Sequence, residues 1–261
     1  MPIESKPLNT ALFLFAHQDD EFGIFQRILD ELEAGNQVCC AYLTSGGHHR
    51  DHTIAERRNH ESKAVLVKMG VSDNNIFFAG CSLKISDGML LEHLDLASNW
   101  IQSWWSNYPR IRSVYIPAWE GGHPDHDALH AITLSVAHEK NMLSLVRQFA
   151  LYNGYHCSGP LFRVLLPLQS NGPIDSRYIS WKNRFRFLLH CLSYSSQKRT
   201  WFGLFPFVLA HYIFYGLQST QPVNFERIRN RPHPGSLYYE RRGFCTWENM
   251  ARRMAAWNKS I

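Results

Sequence analysis

Two short stretches of the chain gather ionisable side chains at spacings that suit a divalent cation. The first, His17-Gln18-Asp19-Asp20-Glu21, follows directly on the apolar run 11–16 (ALFLFA). Strands of an open α/β sheet deliver functional groups at their carboxyl ends. A tight turn here lets His17 and Asp20, three residues apart, converge on one ion while Asp19 points elsewhere and stays free to handle a proton. The second stretch, Gly121-Gly122-His123-Pro124-Asp125-His126, follows the apolar run 112–118 in the same way. With the two strands side by side, His126 completes a His, Asp, His set of three ligands and leaves a fourth position for water, the arrangement of catalytic rather than structural zinc. Helix capping is the plain alternative for Asp19 and Asp20, because carboxylates are favoured at a helix N-terminus. Capping accounts neither for the histidine before the pair nor for a second histidine-rich turn after another strand. His123 reads either as an outer-sphere hydrogen-bonding group or, with Asp125 two residues on, as a charge-tuned acid.

The elements that must position these turns are legible as a pattern. Up to residue 155, short apolar runs alternate with longer amphipathic ones, which predicts an α/β fold with strands joined by crossover helices in a mainly parallel sheet. Strands are expected at 11–16, 37–44, 76–79, 112–118 and 149–152, and helices at 21–34, 52–69, 92–105 and 127–140. Gly35 and Gly70 fall where helix C-caps belong. Beyond Tyr155 the pattern becomes turn-rich, with an apolar run at 162–168 and a predicted helix over 178–191. The chain reads as one domain, with a core over 1–155 and an extension over 156–261 that completes a substrate pocket.

Bulk properties narrow the function. Lys and Arg total 27 against 22 Asp and Glu, a formal charge of +5 spread along the chain, so nucleic acid is not an expected partner. The six cysteines, Cys39, Cys40, Cys81, Cys157, Cys191 and Cys245, have no Cys-x-x-Cys spacing and read as reduced, mostly buried small hydrophobes. The first ten residues do not have the form of a secretory signal, and a cytoplasmic location is the default expectation. The most apolar stretch, 201–217 (WFGLFPFVLAHYIFYGL), contains Pro206 and His211 and is shorter than the roughly 20 residues of a spanning helix. It reads as a buried helix, with peripheral contact to a membrane or a lipid-linked substrate as the other reading.

At the two turns the chain resembles the LmbE-like (PIG-L) family of zinc-dependent N-deacetylases, whose signatures are Ala-His-Pro-Asp-Asp-Glu and His-Pro-Asp-His. Here they stand as Ala16-His17-Gln18-Asp19-Asp20-Glu21 and His123-Pro124-Asp125-His126. Between them, Leu43-Thr44-Ser45-Gly46-Gly47 resembles the family's Leu-Thr-x-Gly loop, and Arg58-x-x-Glu61 ahead of Met69-Gly70-Val71 resembles its Arg-x-x-Glu helix. The likeness covers roughly residues 10 to 155 and fades afterwards, where Lys182 and Tyr194-Ser195-Ser196-Gln197 are only loosely similar to a family segment. Gln18 stands where the family has proline, a change that bears on turn rigidity more than on coordination. His48 and His49 stand where the family often has an acidic residue, and they read as solvent or substrate contacts rather than ligands.

The resemblance implies a Rossmann-like three-layer sandwich holding one Zn2+ per chain on His17, Asp20 and His126. It implies Asp19 as the proton acceptor, and oxyanion stabilisation by His123, whose protonated form Asp125 would favour. Arg58 and Gln197 are its implied substrate contacts. The implied reaction is hydrolysis of a linear amide, removing acetyl from an amino sugar on a nucleotide- or lipid-linked glycan precursor of bacterial polysaccharide synthesis. Competing expectations are deacylation of a non-glycan small molecule or secondary metabolite, and a silent glycan-binding module. Trp119 and Trp247 read as sugar-stacking or packing residues, and the arginines at 227, 229, 231, 241, 242, 252 and 253 as anion contacts or solvated surface.

Overall fold

The computed structural model describes residues 8–47 and 52–258; His48 and His49 lie outside them. Strand β1 (Thr10–Phe15) leads through helix α1 (Phe25–Glu33) to β2 (Gln37–Tyr42), and α2 (His52–Met69) leads on to β3 (Ile76–Phe77). The short α3 (Ala79–Leu83), then α4 (Leu94–Trp105), precede β4 (Ile111–Pro117), and α5 (Pro124–Glu139) crosses to β5 (Val146–Phe149). The rest of the chain adds a hairpin of β6 (Tyr152–Asn153) and β7 (Arg163–Val164), an exposed strand β8 (Asp175–Tyr178), and helices α6 (Trp181–Cys191) and α7 (Lys198–Phe214). Strand β9 (Leu217–Pro222), a single turn α8 (Tyr238–Arg241) and α9 (Trp247–Asn258) end it. Seven strands form one sheet in the order β3-β2-β1-β4-β5-β9-β8, parallel as far as β5 and antiparallel at β9 and β8.

Alternation along the strands divides the core into two layers. Leu12, Leu14, Cys39 and Ala41 face one side with α4, α5 and α9, while Phe13, Phe15, Cys40 and Tyr42 face the other with α1, α2, α6 and α7. Every residue of β1 is buried, as a parallel strand covered on both faces must be. Because β1 lies between β2 and β4, the chain leaves it in opposite directions on its two sides, which opens the crevice in which doubly wound sheets bind ligands. The two ionisable turns follow these central neighbours, β1 and β4.

Several boundaries differ from expectation for local reasons. The helix expected from residue 21 is interrupted, with a 3-10 turn at Asp20–Gly23 and α1 starting only at Phe25. The Asp20 carboxylate reaches back to the amides of Ala16 and His17 at 2.9 and 2.8 Å, and that back-bonding fixes a turn no regular helix accommodates. The last parallel strand spans Val146–Phe149 rather than 149–152, because the buried Glu120 carboxylate accepts the amides of Leu151 and Tyr152 and takes them out of the ladder. Strands β8 and β9 went unread, since DSRY and LQSTQP carry no apolar alternation. Helix α7 spans Lys198–Phe214 and is buried on one side only; Phe202 and Phe214 stand 86% and 79% exposed.

His130 on α5 supplies a pH-dependent stability. Burial pushes its imidazole down to about 4, while Nδ1 lies 2.9 Å from the Pro117 carbonyl and keeps the neutral ring in place. A histidine depressed in the folded state contributes stability that is complete above the ordinary value of 6.5 and is lost as the pH falls towards 4, where the unfolded chain takes up a proton the folded one refuses. Its full effect is about 3 kcal/mol. Melting temperatures followed from pH 7 to 4 are expected to fall less steeply in His130→Asn, whose amide can keep the carbonyl contact; an unchanged slope would remove His130 from the account.

Candidate metal centre

The turn after β1 and the N-terminus of α5 meet. His17 Nδ1 lies 3.2 Å from His126 Nε2, and His126 Nε2 lies 3.0 Å from Asp20 Oδ1. Ligand atoms of these three buried residues all fall within 4.8 Å of one another. Tetrahedral ligands at zinc–nitrogen and zinc–oxygen bond lengths are spaced about 3.3 Å apart, so the donors already stand at coordination spacing. Asp20 Oδ2 is occupied by the two backbone amides, which leaves Oδ1 to face the imidazoles. Burial raises the Asp20 pKa, but the His126 and His17 rings outweigh it and hold the carboxyl well below the usual range. An anionic oxygen beside two imidazoles, buried and with no described Lys or Arg bonded to it, is a donor set that fits a divalent cation.

The surrounding groups fix the ligands. Asp125, fully buried, accepts the amides of Gly88 at 2.6 Å and Leu90 at 3.0 Å and sets Oδ2 3.0 Å from His17 Nε2. It therefore orients a ligand imidazole through the nitrogen the site does not use, the usual partnership around metal-bound histidine. This differs from the expected pairing with His123, whose Nδ1 is 4.0 Å from the same carboxylate. His123 Nδ1 instead accepts the backbone amide of Asp125 at 3.2 Å and caps α5, which places the proton of the neutral ring on Nε2. Burial, then the charge of His17, pushes the His123 pKa down to about 4.

Asp19 sits beside the ligands, 7% exposed, with its amide donating to Glu21 at 3.0 Å. No described group donates a hydrogen bond to its carboxylate. Burial, reinforced by Asp20 and Glu21, raises its pKa well above the ordinary value. Glu21, pushed up to about 7 by burial, is braced by the Tyr194 hydroxyl at 2.8 Å. Gln197 donates to the Gln18 carbonyl and buttresses this turn from the hairpin of α6 and α7, while Gln18 Nε2 holds Asn59 at 2.7 Å. Arg58 pairs with Asp87 at 3.4 Å, and Asp87 lies 3.2 Å from His17 Nε2. Sequence reading missed Asp87, which with His17 and His123 forms a second group capable of ligation; a lone aspartate in a Ser-Asp-Gly turn carries no signal of its own. Gly122 is required by close approach, because a Cβ there would lie 2.1 Å from the Tyr152 carbonyl oxygen, and the Tyr152 ring packs 5.5 Å from His126.

Other expected contacts are structural. Trp119 is fully buried, donates to the Asn230 carbonyl and packs on Trp247 and His130, so neither indole pair member is placed at the metal centre. Arg227, Arg231, Arg241 and Arg253 bond to Ser170, Glu240, Gly154 and Glu92 respectively. All six cysteines are free thiols. A cavity of about 490 Å³ behind Tyr155, lined by residues that include Arg163, Arg227 and His233, contains none of the residues of the metal centre.

A mainly parallel sheet with helices on both faces presents a His, Asp, His set and the Asp19 carboxylate at two adjacent strand ends. Residues 12–137 match the family model described as GlcNAc-PI de-N-acetylase, and the chain carries a domain of this PIG-L (LmbE-like) deacetylase family. Comparison with curated protein sequences finds no significant match. Among solved structures, a deacetylase of the teicoplanin biosynthesis pathway superposes with a TM-score of 0.63 at 19% identity, covering 83% of this chain and 98% of that one. The A40926 pseudoaglycone deacetylase gives 0.61 at 17% identity, over 88% and 100%. The N,N'-diacetylchitobiose deacetylase of Pyrococcus horikoshii gives 0.55 at 14% identity, over 82% and 83%. At these identities the likeness is one of fold.

Proposed function

We propose that the protein is a zinc-dependent hydrolase that removes the N-acetyl group of an amino-sugar-containing substrate, such as a nucleotide- or lipid-linked glycan precursor. The observation that carries this reading is the convergence of His17, Asp20 and His126 beside an Asp19 carboxylate to which no described group donates a hydrogen bond. Proteins of similar fold support the substrate class: a deacetylase of teicoplanin biosynthesis, the A40926 pseudoaglycone deacetylase and N,N'-diacetylchitobiose deacetylase. Zinc held by the three ligands would supply a Lewis acid and draw the pKa of a water at the fourth position down towards about 7.

The chain's own residues do the rest. Asp19, desolvated and therefore more basic than a surface carboxylate, takes the proton of the attacking water and returns it to the amine as the C–N bond breaks. His123 offers its Nε2 proton to the developing oxyanion as a neutral donor. Asp125 keeps His17 in register, and the Arg58–Asp87 pair borders the site where the substrate's polar groups enter. No Ser or Cys nucleophile takes part.

Incubating the zinc-loaded protein with N-acetylglucosamine carried on a nucleotide, on a lipid phosphate or as chitobiose is expected to yield acetate and free amine in equal amounts from at least one of them. Turnover confined to non-sugar amides would overturn the substrate class, and inertness towards every amide would leave a binding module.

A further inference from the structure

Helices α6 and α7 form an antiparallel hairpin, with Phe187 against Tyr212 at one end and Tyr194 stacked on Trp201 at the other. Their inner faces, including Phe187, Cys191, Leu204 and Val208, belong to the core. Their outer faces are apolar as well. On α6, Trp181, Phe185, Leu189 and Leu192 recur at helical spacing and are all at least half exposed; on α7, Phe202 and Phe214 stand almost free. A water-facing helix surface normally carries polar residues, and a contiguous apolar patch marks an interaction site.

Charge identifies the occupant. From residue 176 to residue 225 there is no Asp or Glu, while Arg177, Lys182, Arg184, Arg186, Lys198 and Arg199 all fall in this stretch. Arg184 is buried, bonded to the Ile179 and Tyr212 carbonyls, and Arg186 donates to the Lys68 carbonyl. Arg177, Lys182, Lys198 and Arg199 are exposed and unpaired among the described residues. Exposed aromatic and aliphatic side chains together with free cations, in a stretch of sequence without Asp or Glu, complement an anionic bilayer: the apolar groups enter the acyl boundary and the cations meet the headgroups. No described helix is long and apolar enough to cross a membrane, so the hairpin lies on the surface. Its connecting turn also holds the metal-bearing loop, through Gln197 on the Gln18 carbonyl and Tyr194 on Glu21.

We propose that the outer face of the α6–α7 hairpin docks the protein on anionic lipid as a peripheral membrane protein. The full chain is expected to co-sediment with vesicles of equal parts phosphatidylglycerol and phosphatidylcholine, more weakly with phosphatidylcholine alone, and less as salt is raised. Phe202→Ser with Phe214→Ser should weaken partitioning by at least about tenfold with an unchanged melting temperature, because neither ring is buried. Lys198→Glu with Arg199→Glu should abolish the preference for phosphatidylglycerol. Failure of the wild type to sediment with either vesicle, or sedimentation of the double Phe variant equal to wild type, overturns the proposal. So does a wild-type dimer in light scattering that the double Phe variant disperses while vesicles bind neither, since the face then belongs to a second copy.

Discussion

Asp19→Asn is expected to lower kcat for deacetylation by about 10²–10⁴-fold, the range spanned by positioned general bases, with zinc content and KM little changed. The asparagine keeps the volume and hydrogen-bonding shape of the carboxylate and removes only its ability to accept a proton as an anion. It is also the substitution the backbone tolerates. Asp19 has φ near 124°, outside the regions most side chains occupy, and Asn and Asp are the non-glycine residues found most often at positive φ. Alanine there would add backbone strain to the loss of the base, confusing the readout. The conformation is held by the Asp19 amide donating to Glu21 and by the back-bonded Asp20, so the asparagine should sit where the aspartate does. Steady-state kinetics with elemental analysis on the same preparation check this. Activity within about threefold of wild type, well short of the loss of a general base, would take the proton transfer away from Asp19.

The residues of this turn could be read from sequence because their chemistry is local. His17 and Asp20 stand three positions apart just after a buried strand, and His126 joins them only if β1 and β4 are neighbours, a condition the sequence leaves open and the strand order meets. What could not be read depends on contacts between segments far apart in sequence. Asp87 acquires its role from the loop after α3 that brings it to His17. Asp125 looks like a partner for His123 two residues away, yet the amides of Gly88 and Leu90 turn its carboxylate towards His17. Glu120 ends β5 by capturing two amides, a tertiary event with no signature in the strand itself. Periodicity also fails where both faces of a helix are apolar, as in α7: 201–217 reads as buried although Phe202 and Phe214 project outward.

Removing the metal should be as damaging as removing the base, and the pattern of rescue separates ligands from their supports. Dialysis against a chelator is expected to take acetate release to background, and zinc to restore it. His126→Ala leaves His17 and Asp20 as a two-donor remnant, too few for the three protein ligands of a catalytic zinc site, and zinc in excess should not restore turnover. Asp125→Asn should behave differently. The amide can still meet His17 Nε2 at the 3.0 Å seen for the carboxylate, but it loses the charge that steadies the ring and disturbs the paired amides of Gly88 and Leu90. Affinity for zinc is therefore expected to fall by about 10–100-fold, the usual consequence of altering the partner of a ligating histidine, with activity recovering as zinc is raised. Titration with a competing chromophoric chelator measures both variants. A full equivalent of zinc held by His126→Ala at wild-type affinity would mean that the ion sits on the other cluster, His17 with Asp87 and His123, and that His123 is a ligand and not the donor to the oxyanion.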